Sequence, residues 1–584
     1  MSKDEHSESG ESSELARSEE VHVLPKNNLW LCLPALLLVT FLGSLDSTIV
    51  SVSLNTISKD LNSSSQSAYS WVGTIYLLTC TVVGPVTGKM TDIMGMKPML
   101  YSGIALFVLS SGLCGASVSM KQLIAFRGLQ GLGRGMMRVS TQIIISNIIT
   151  LQNRGLVNSL VGLVHSLSNA IGPLIGGAIA EHTSWSWCFW INLPTSAIAF
   201  TMLFFFLNVS QPPHASFKEK FNSFDYLGLI LIVGGAVCVL LGFSLASSLS
   251  WQHAATISLL IIGWLLLITF GIWEIKAEKK GVSVMVPPRL FKSITPTAIL
   301  IGCAAHSLAF YISGFYLPLY FQYAKMSTPT FAGLHVIPFA FGSSFASILY
   351  GYLLAKFKRY RPIIWFCWIF FLVGNALVIN LDAKSSLAKQ IVYLLVMAVG
   401  NGGLFSTPLT ALQACMTLKQ TNTSTSSFTF VRDLAGTMGI SLGGVIMHTE
   451  AVKRLSKIDG GQRFADMSEI ASLKEADISE NLRMSVQQAY SKAISTNYIF
   501  TSCVIAVGFL ASLSIKKYTL DVKNIKEGEE EEDGEEKGDG NKKGFRKEED
   551  EGKGEIHLPA TTASSDTTLV KTKDMENQKP KQHL

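Results

Sequence analysis

Charge is scarce in this chain. Of its 584 residues, 15% are Asp, Glu, Lys or Arg, where a soluble domain carries about 25%. Much of what there is gathers at the ends. Residues 1–20 are rich in Ser and Glu, and 521–584 hold Glu529–Glu532, Glu548–Asp550 and many Lys. Both ends are expected to be solvated tails that bury no core. No Gly-x-x-x-x-Gly-Lys-Ser/Thr run occurs, which disfavours a nucleotide-driven pump, and no zinc-protease or Gly-x-Ser-x-Gly sequence points to an enzyme. Paired cysteines are missing too. Cys32, 80, 114, 188, 238, 303, 367, 415 and 503 lie in or beside apolar runs with no CxxC spacing, so neither a disulfide framework nor a metal site is expected. A charged segment, apolar core and cleavage site are not found behind Met1, so no cleaved signal peptide is expected. The net charge of +6 is spread over loops and gives no reason to invoke nucleic acid.

Long apolar runs are abundant instead. The chain is 48% apolar with mean hydropathy +0.34. A helix needs about 20 apolar residues to cross the hydrocarbon of a bilayer. About fourteen stretches qualify by this rule, near 29–53, 69–90, 99–119, 122–149, 156–180, 188–208, 225–246, 254–274, 297–322, 331–355, 362–381, 389–412, 425–447 and 496–515. Within them stand a few isolated charges. Asp46 is the only one between Lys26 and Lys59, Arg127 opens the fourth run, and Arg432–Asp433 interrupt the thirteenth. A charge at membrane depth costs at least a few kcal/mol, so it is usually paired, hydrated and functional. Adjacent Arg432 and Asp433 point to different helix faces and are not expected to pair with each other.

Cations cluster after the even-numbered runs, at Lys89 and Lys97, at Arg154, at Lys276 to Lys292 and at Lys356 to Arg361. By the positive-inside rule those loops, and both termini, face the cytosol. Asn62-Ser63-Ser64 is then a glycosylation candidate in the first outer loop, while the sequons at Asn208 and Asn422 are expected to be silent. Two turns repeat. Gly88-Lys-Met-Thr-Asp92-Ile-Met-Gly95-Met-Lys97-Pro98 closes the second run, and Gly351-Tyr-Leu-Leu-Ala-Lys356-Phe-Lys358-Arg359-Tyr-Arg361-Pro362 closes the tenth. Duplicated halves are common in secondary transporters, with the site between them. The expected layout is a tail at 1–28, six-helix bundles at 29–210 and 293–516, an inserted helix pair with linkers at 211–292, an outer loop at 448–495 and a tail at 517–584.

Several motifs carry a resemblance. Leu45-Asp46-Ser-Thr-Ile-Val50, the turn at 88–98, Arg127-Gly-Leu-Gln130-Gly131-Leu-Gly133, and Gly172-Pro173-Leu-Ile-Gly176-Gly177 follow one another in order. Trp185-Ser-Trp187 to Asn192-Leu-Pro194 and Phe224-Asp225-Tyr226-Leu-Gly228 come after them. Together, over about residues 29–515, they resemble the fourteen-span drug:proton antiporter branch of the major facilitator superfamily, in a fungal member. Departures are Asn55, Ile93, Met96, Arg134, Ser168 and Ser186, where that branch usually has Pro, Arg, Arg, a small residue, Gly and Arg.

The resemblance implies an all-α polytopic fold and export of small cationic or amphipathic solutes or drugs from the cytosol in exchange for protons. An alternative is loading of basic amino acids into the vacuole, and another is a transporter-like sensor without flux. The membrane is then vacuolar or plasma, the partners are solute, protons and lipid, a monomer is expected, and the proton gradient replaces any cofactor. Asp46, Arg127, Arg432 and Asp433 are the candidates for proton coupling or solute binding. Gly88, Asp92, Gly95 and Lys97 are candidates for a gate, with Asp92 placed to meet a helix end across the bundle interface. Gln130 and Gly131, and the Gly172, Pro173, Gly176 and Gly177 hinge, are candidates for close packing. His165, His306 and His335 are expected to be hydrogen-bonded core, and Phe310, Tyr311, Phe315, Tyr316 and Tyr320 to pack or face lipid rather than line a cavity.

Overall fold

The computed structural model describes residues 22–61, 66–209, 224–248, 251–280, 284–417, 420–465, 479–520 and 524–526. The long helices are α1 (Leu29–Asp60), α2 (Gln66–Met94), α3 (Met96–Gly115), α4 (Met120–Ile148), α5 (Leu151–His182), α6 (Asn192–Phe206), α7 (Tyr226–Ser248), α8 (Ala254–Lys279), α9 (Ile294–Leu319), α10 (Pro329–Phe357), α11 (Tyr360–Val378), α12 (Leu387–Cys415), α13 (Thr421–Leu455) and α14 (Glu480–Leu513). Among the described residues, twelve helices are both long and apolar enough to span a membrane. α4 and α5, with 29 and 32 residues, have the length but not the apolarity. Their polar side chains, among them Arg127, Gln130, Arg134 and Asn158, turn inward.

α1 packs on α5 and α6, and α4 on α2 and α3. In the other half α9 packs on α13 and α14, and α12 on α10 and α11. These are two six-helix bundles. α7 and α8 pack on each other, and α7 touches α13 and α2. α8 turns Ile257, Ile261, Trp264, Leu265, Ile268 and Ile272 outward, an apolar face whose natural solvent is lipid. Two carboxylates fasten this inserted pair. Asp225 accepts from Gly228 N and Trp273 Nε1, each at 2.8 Å, and Glu274 accepts from Met285 N at 3.0 Å.

Helix starts follow ordinary capping chemistry. Ser119, Thr328, Ser386 and Ser479 each accept from the backbone N–H three residues on, opening α4, α10, α12 and α14. Close packing follows from glycine. A Cβ on Gly133 would lie 2.6 Å from Phe107 N of α3, and one on Gly135 would lie 2.5 Å from Cys80 O of α2. The glycine series of α4 is therefore a packing surface between two neighbours.

Two expectations need correction. The tails are not wholly without structure: His22–Leu24 (β1) pairs in parallel with Asn524–Lys526 (β2), which brings the two ends of the described chain together. The outer loop 448–495 is shorter than expected, because α13 runs on to Leu455 and α14 starts at Glu480. Those extensions are too polar for an apolar-run test, yet they stay helical. Val486, Tyr490 and Ile494 keep one face buried, and Tyr490 Oη donates to Phe464 O at 2.7 Å. Asn62 lies outside the described residues.

Candidate functional site

Asp46 stands at the centre of a buried polar cluster. Its side chain is fully buried, and Arg127 Nη1 reaches Oδ2 at 2.6 Å. Gln130 Nε2 donates to Oδ1 at 2.9 Å and Asn192 Nδ2 donates to it at 3.0 Å. Both amides also donate to Ser111 Oγ at 3.0 Å. The Arg127 guanidinium lies 3.8 Å from the centre of the Tyr76 ring, a favourable cation–π placement. Four helices, α1, α3, α4 and α6, thus converge on one carboxylate. All of its partners belong to the first bundle, and Asp46 does not line the central cavity. The expectation of a cationic solute rested on Asp46 facing the pathway, and in this conformation it does not.

The cavity between the bundles lies deeper along α4. At about 1.5 Å per residue, Arg134 is roughly 10 Å and Arg138 roughly 16 Å along the axis from Arg127. Its walls include Ser44 of α1, Arg134 and Arg138 of α4, His165 of α5, Phe405 of α12 and Arg432 of α13, around about 50 Å³ of space. That admits a water or two but no organic solute, so the bundles must part for transport. Ser44 Oγ and His165 Nδ1 are 2.7 Å apart. Arg432 Nη2 donates to Phe405 O at 2.9 Å, with its guanidinium 4.6 Å from the Phe405 ring centre. Arg138 Nη1 crosses the interface to Asp433 Oδ1 at 2.5 Å. Arg432 and Asp433 therefore turn to different partners, as their adjacency requires.

The bundles close on each other at the end bearing the α2–α3 and α10–α11 turns. Gly88 of α2 leaves no room for a Cβ beside Ser426 of α13, and Gly351 of α10 sits over Gly155 O and Ser159 of α5. The two repeated turns thus make equivalent contacts, each on the fifth helix of the opposite bundle. Asp92 accepts from Asn422 Nδ2 at 3.1 Å and Thr423 Oγ1 at 3.3 Å, in the first turn of α13, where a carboxylate also meets the positive end of the helix dipole. Arg154, which the charge pattern put in a loop, is buried and donates to Gln413 Oε1 at 3.3 Å. Ser159 Oγ donates to Ser347 O at 2.7 Å.

Other candidates fall elsewhere. Lys97 is half-buried in the first turn of α3, next to its N-cap Gly95. Gly131 packs on Tyr76 O and Thr79. Gly172 and Gly176 of the expected hinge pack on Thr48 and Ile49 of α1, inside one bundle, while Gly177 faces open space and the Pro173 side chain lies outside the described residues. The hinge is thus not a contact between bundles; α5 meets the opposite bundle through its other half. His306 is hydrogen-bonded to Asn401 at 3.0 Å, and His335 to Phe331 O at 2.7 Å. Phe315 faces outward, and Tyr316 and Tyr320 are buried in the second bundle. Sequence reasoning missed Arg138 and left Arg134 as a mere departure. The signal was present, since positions 127, 134 and 138 share one helical face.

Comparison with known proteins agrees with this architecture. The family model described as Major Facilitator Superfamily matches residues 36–226 and 223–440. An uncharacterized MFS-type transporter of Schizosaccharomyces pombe is 34% identical over 502 residues, covering 86% of this chain and 82% of the relative. The efflux pump dotC of Dothistroma septosporum is 32% identical, covering 85% and 86%. An efflux pump of Gibberella fujikuroi is 29% identical, covering 86% and 92%. Among solved structures, the human organic anion transporter TETRAN is similar in fold, with TM-score 0.52 and 12% identity, covering 82% of this chain and all of that one. With bundles, inserted pair and motifs in agreement, the chain belongs to the major facilitator superfamily and is an integral membrane transporter.

Proposed function

We propose that this transporter is a proton-coupled antiporter that exports small amphipathic organic solutes from the cytosol by alternating access. The observation that carries the reading is the Arg138–Asp433 ion pair, which joins α4 to α13 across the central cavity. A proton arriving from the acidic side converts the Asp433 carboxylate to a neutral acid. Arg138 then loses its counter-charge, and the bond between the bundles weakens. The closed end parts, solute enters from the cytosol, and release of the proton to the cytosol lets the pair form again with solute enclosed. Asp46, already satisfied by Arg127, Gln130 and Asn192, acts as the fixed centre of the first bundle. The relatives named efflux pumps support the outward direction. A cavity with three guanidiniums speaks against basic amino acids as the cargo. Both termini are assigned to the cytosol from the cation distribution, in a plasma or vacuolar membrane.

The test is flux in sealed vesicles containing the purified protein, with and without an imposed pH gradient. Gradient-driven dye movement should fall to the level of protein-free vesicles in Asp433→Asn, while exchange down a solute gradient persists. Undiminished gradient-driven movement in that variant would sink the coupling role of Asp433. Solute binding without flux in the wild type would favour the sensor reading.

A further inference from the structure

The central cavity holds more positive charge than the protein neutralises. Arg134, Arg138 and Arg432 line it, and among the described residues Asp433, bonded to Arg138, is the one carboxylate in ion-pair contact with any of the three. Arg134 is 7% exposed and has no hydrogen bond or ion pair to any described residue; its guanidinium lies 5.2 Å from the Tyr76 ring centre. Arg432 is 8% exposed; it donates to the carbonyl of Phe405, lies over the rings of Phe405 and Phe428 and reaches the Cys303 thiol, none of them a carboxylate. Gly43 of α1 makes the room: a Cβ there would lie 3.2 Å from Arg134 Cγ. An uncompensated charge at membrane depth is costly, and such groups mark solute pathways. Two guanidiniums without acidic partners, over an aromatic wall, form a receptor for a planar anion.

We propose that the cargo of this site is an amphipathic organic anion, held by Arg134 and Arg432 through its carboxylate or phenolate groups and by Phe405 through its apolar body. The assignment rests on the cavity being the transport site of the exporter described above, and it deepens that reading. The anion restores charge balance when the bundles enclose it. A fixed cation is repelled.

Two xanthene dyes of similar size test it: fluorescein, an anion, and tetramethylrhodamine methyl ester, a cation. Binding to the purified full chain is read by anisotropy, and gradient-driven movement is read in vesicles. Fluorescein should bind in preference to the ester. Arg134→Gln and Arg432→Gln should each weaken it about tenfold or more, the loss of one charge-assisted contact, while Arg134→Lys keeps most of the affinity. Arg134→Gln should melt no lower than the wild type, since it removes a buried unpaired charge; if it misfolds, Arg432→Gln carries the test. Preference for the ester, failure of fluorescein to bind, or fluorescein binding that both glutamine variants leave unchanged would overturn the inference. Fluorescein bound through both arginines but never moved by the gradient would leave the anion site standing and sink proton-coupled export. Gradient-driven movement of the ester alone would do the reverse.

Discussion

At the scale of single residues, this protein separates two kinds of buried charge. The Asp46–Arg127 pair is internally satisfied: two amides and a guanidinium occupy the carboxylate, and an aromatic ring covers the guanidinium. Removing one partner of such a pair strands the other and costs about 3–5 kcal/mol. Asp46→Asn should therefore lower stability by about that amount in reversible denaturation, and adding Arg127→Gln should recover part of it. Simple additivity of the two losses would contradict the pairing. The isolated charges were plain in the sequence, because an apolar run makes each one conspicuous. Their partners were not. Gln130 and Asn192 carry no charge to attract notice, and whether Asp46 faces a pathway or a neighbouring helix depends on depth and rotation, which an apolar run leaves open.

At the scale of elements, the repeated turns show how one device is built twice with different residues. Gly95 ends the α2–α3 turn with φ 95°, and Lys358 ends the α10–α11 turn with φ 53°. Lys358, with ψ 27°, is in the left-handed helical region, whereas Gly95, with ψ 160°, occupies a region essentially closed to residues with a Cβ, where a strained residue costs roughly 1–3 kcal/mol. Gly95→Ala should thus destabilise the protein by about that much, while Lys358→Gly should not destabilise it; a melting shift for Gly95→Ala no larger than for exposed substitutions elsewhere would contradict the argument. Twelve of the fourteen long helices stand out as apolar stretches, α4 and α5 do so only weakly because their polar side chains turn inward, and the ends of the helices could not be read at all. α13 and α14 leave the apolar runs and continue as amphipathic helices, because Ser479 caps one and Glu450 pairs with Arg454 on the other at 3.1 Å. The repeat between residues 88–98 and 351–362 was legible for the same reason the contacts are symmetric: each turn needs a small residue where two helices cross and cations at the membrane surface.

At the scale of the whole molecule, the polar contacts between bundles lie from the middle of the membrane to one end. Arg138–Asp433 is at cavity level, followed by Ser159 on Ser347, Asn147 on Asn422, Arg154 on Gln413 and Asp92 on the start of α13. The Gly172–Gly177 segment packs against α1 inside the first bundle. Sequence could place the lone charges on helices but could not show that α4 and α13 face each other, since pairing between halves nearly 300 residues apart leaves no local pattern. Opening must break this set of contacts, and in the proposed cycle the Arg138–Asp433 ion pair is the member that protonation releases. The direct test is the distance between spin labels at Met94, where α2 ends, and Phe357, where α10 ends, both exposed, with Cys503 replaced to prevent stray labelling. The account predicts that acidification shifts the wild type toward longer distances, and that Asp433→Asn samples the long distance to the same extent at every pH. Distances that ignore pH in the wild type, or an Asp433→Asn protein that still opens and closes with pH, would contradict it.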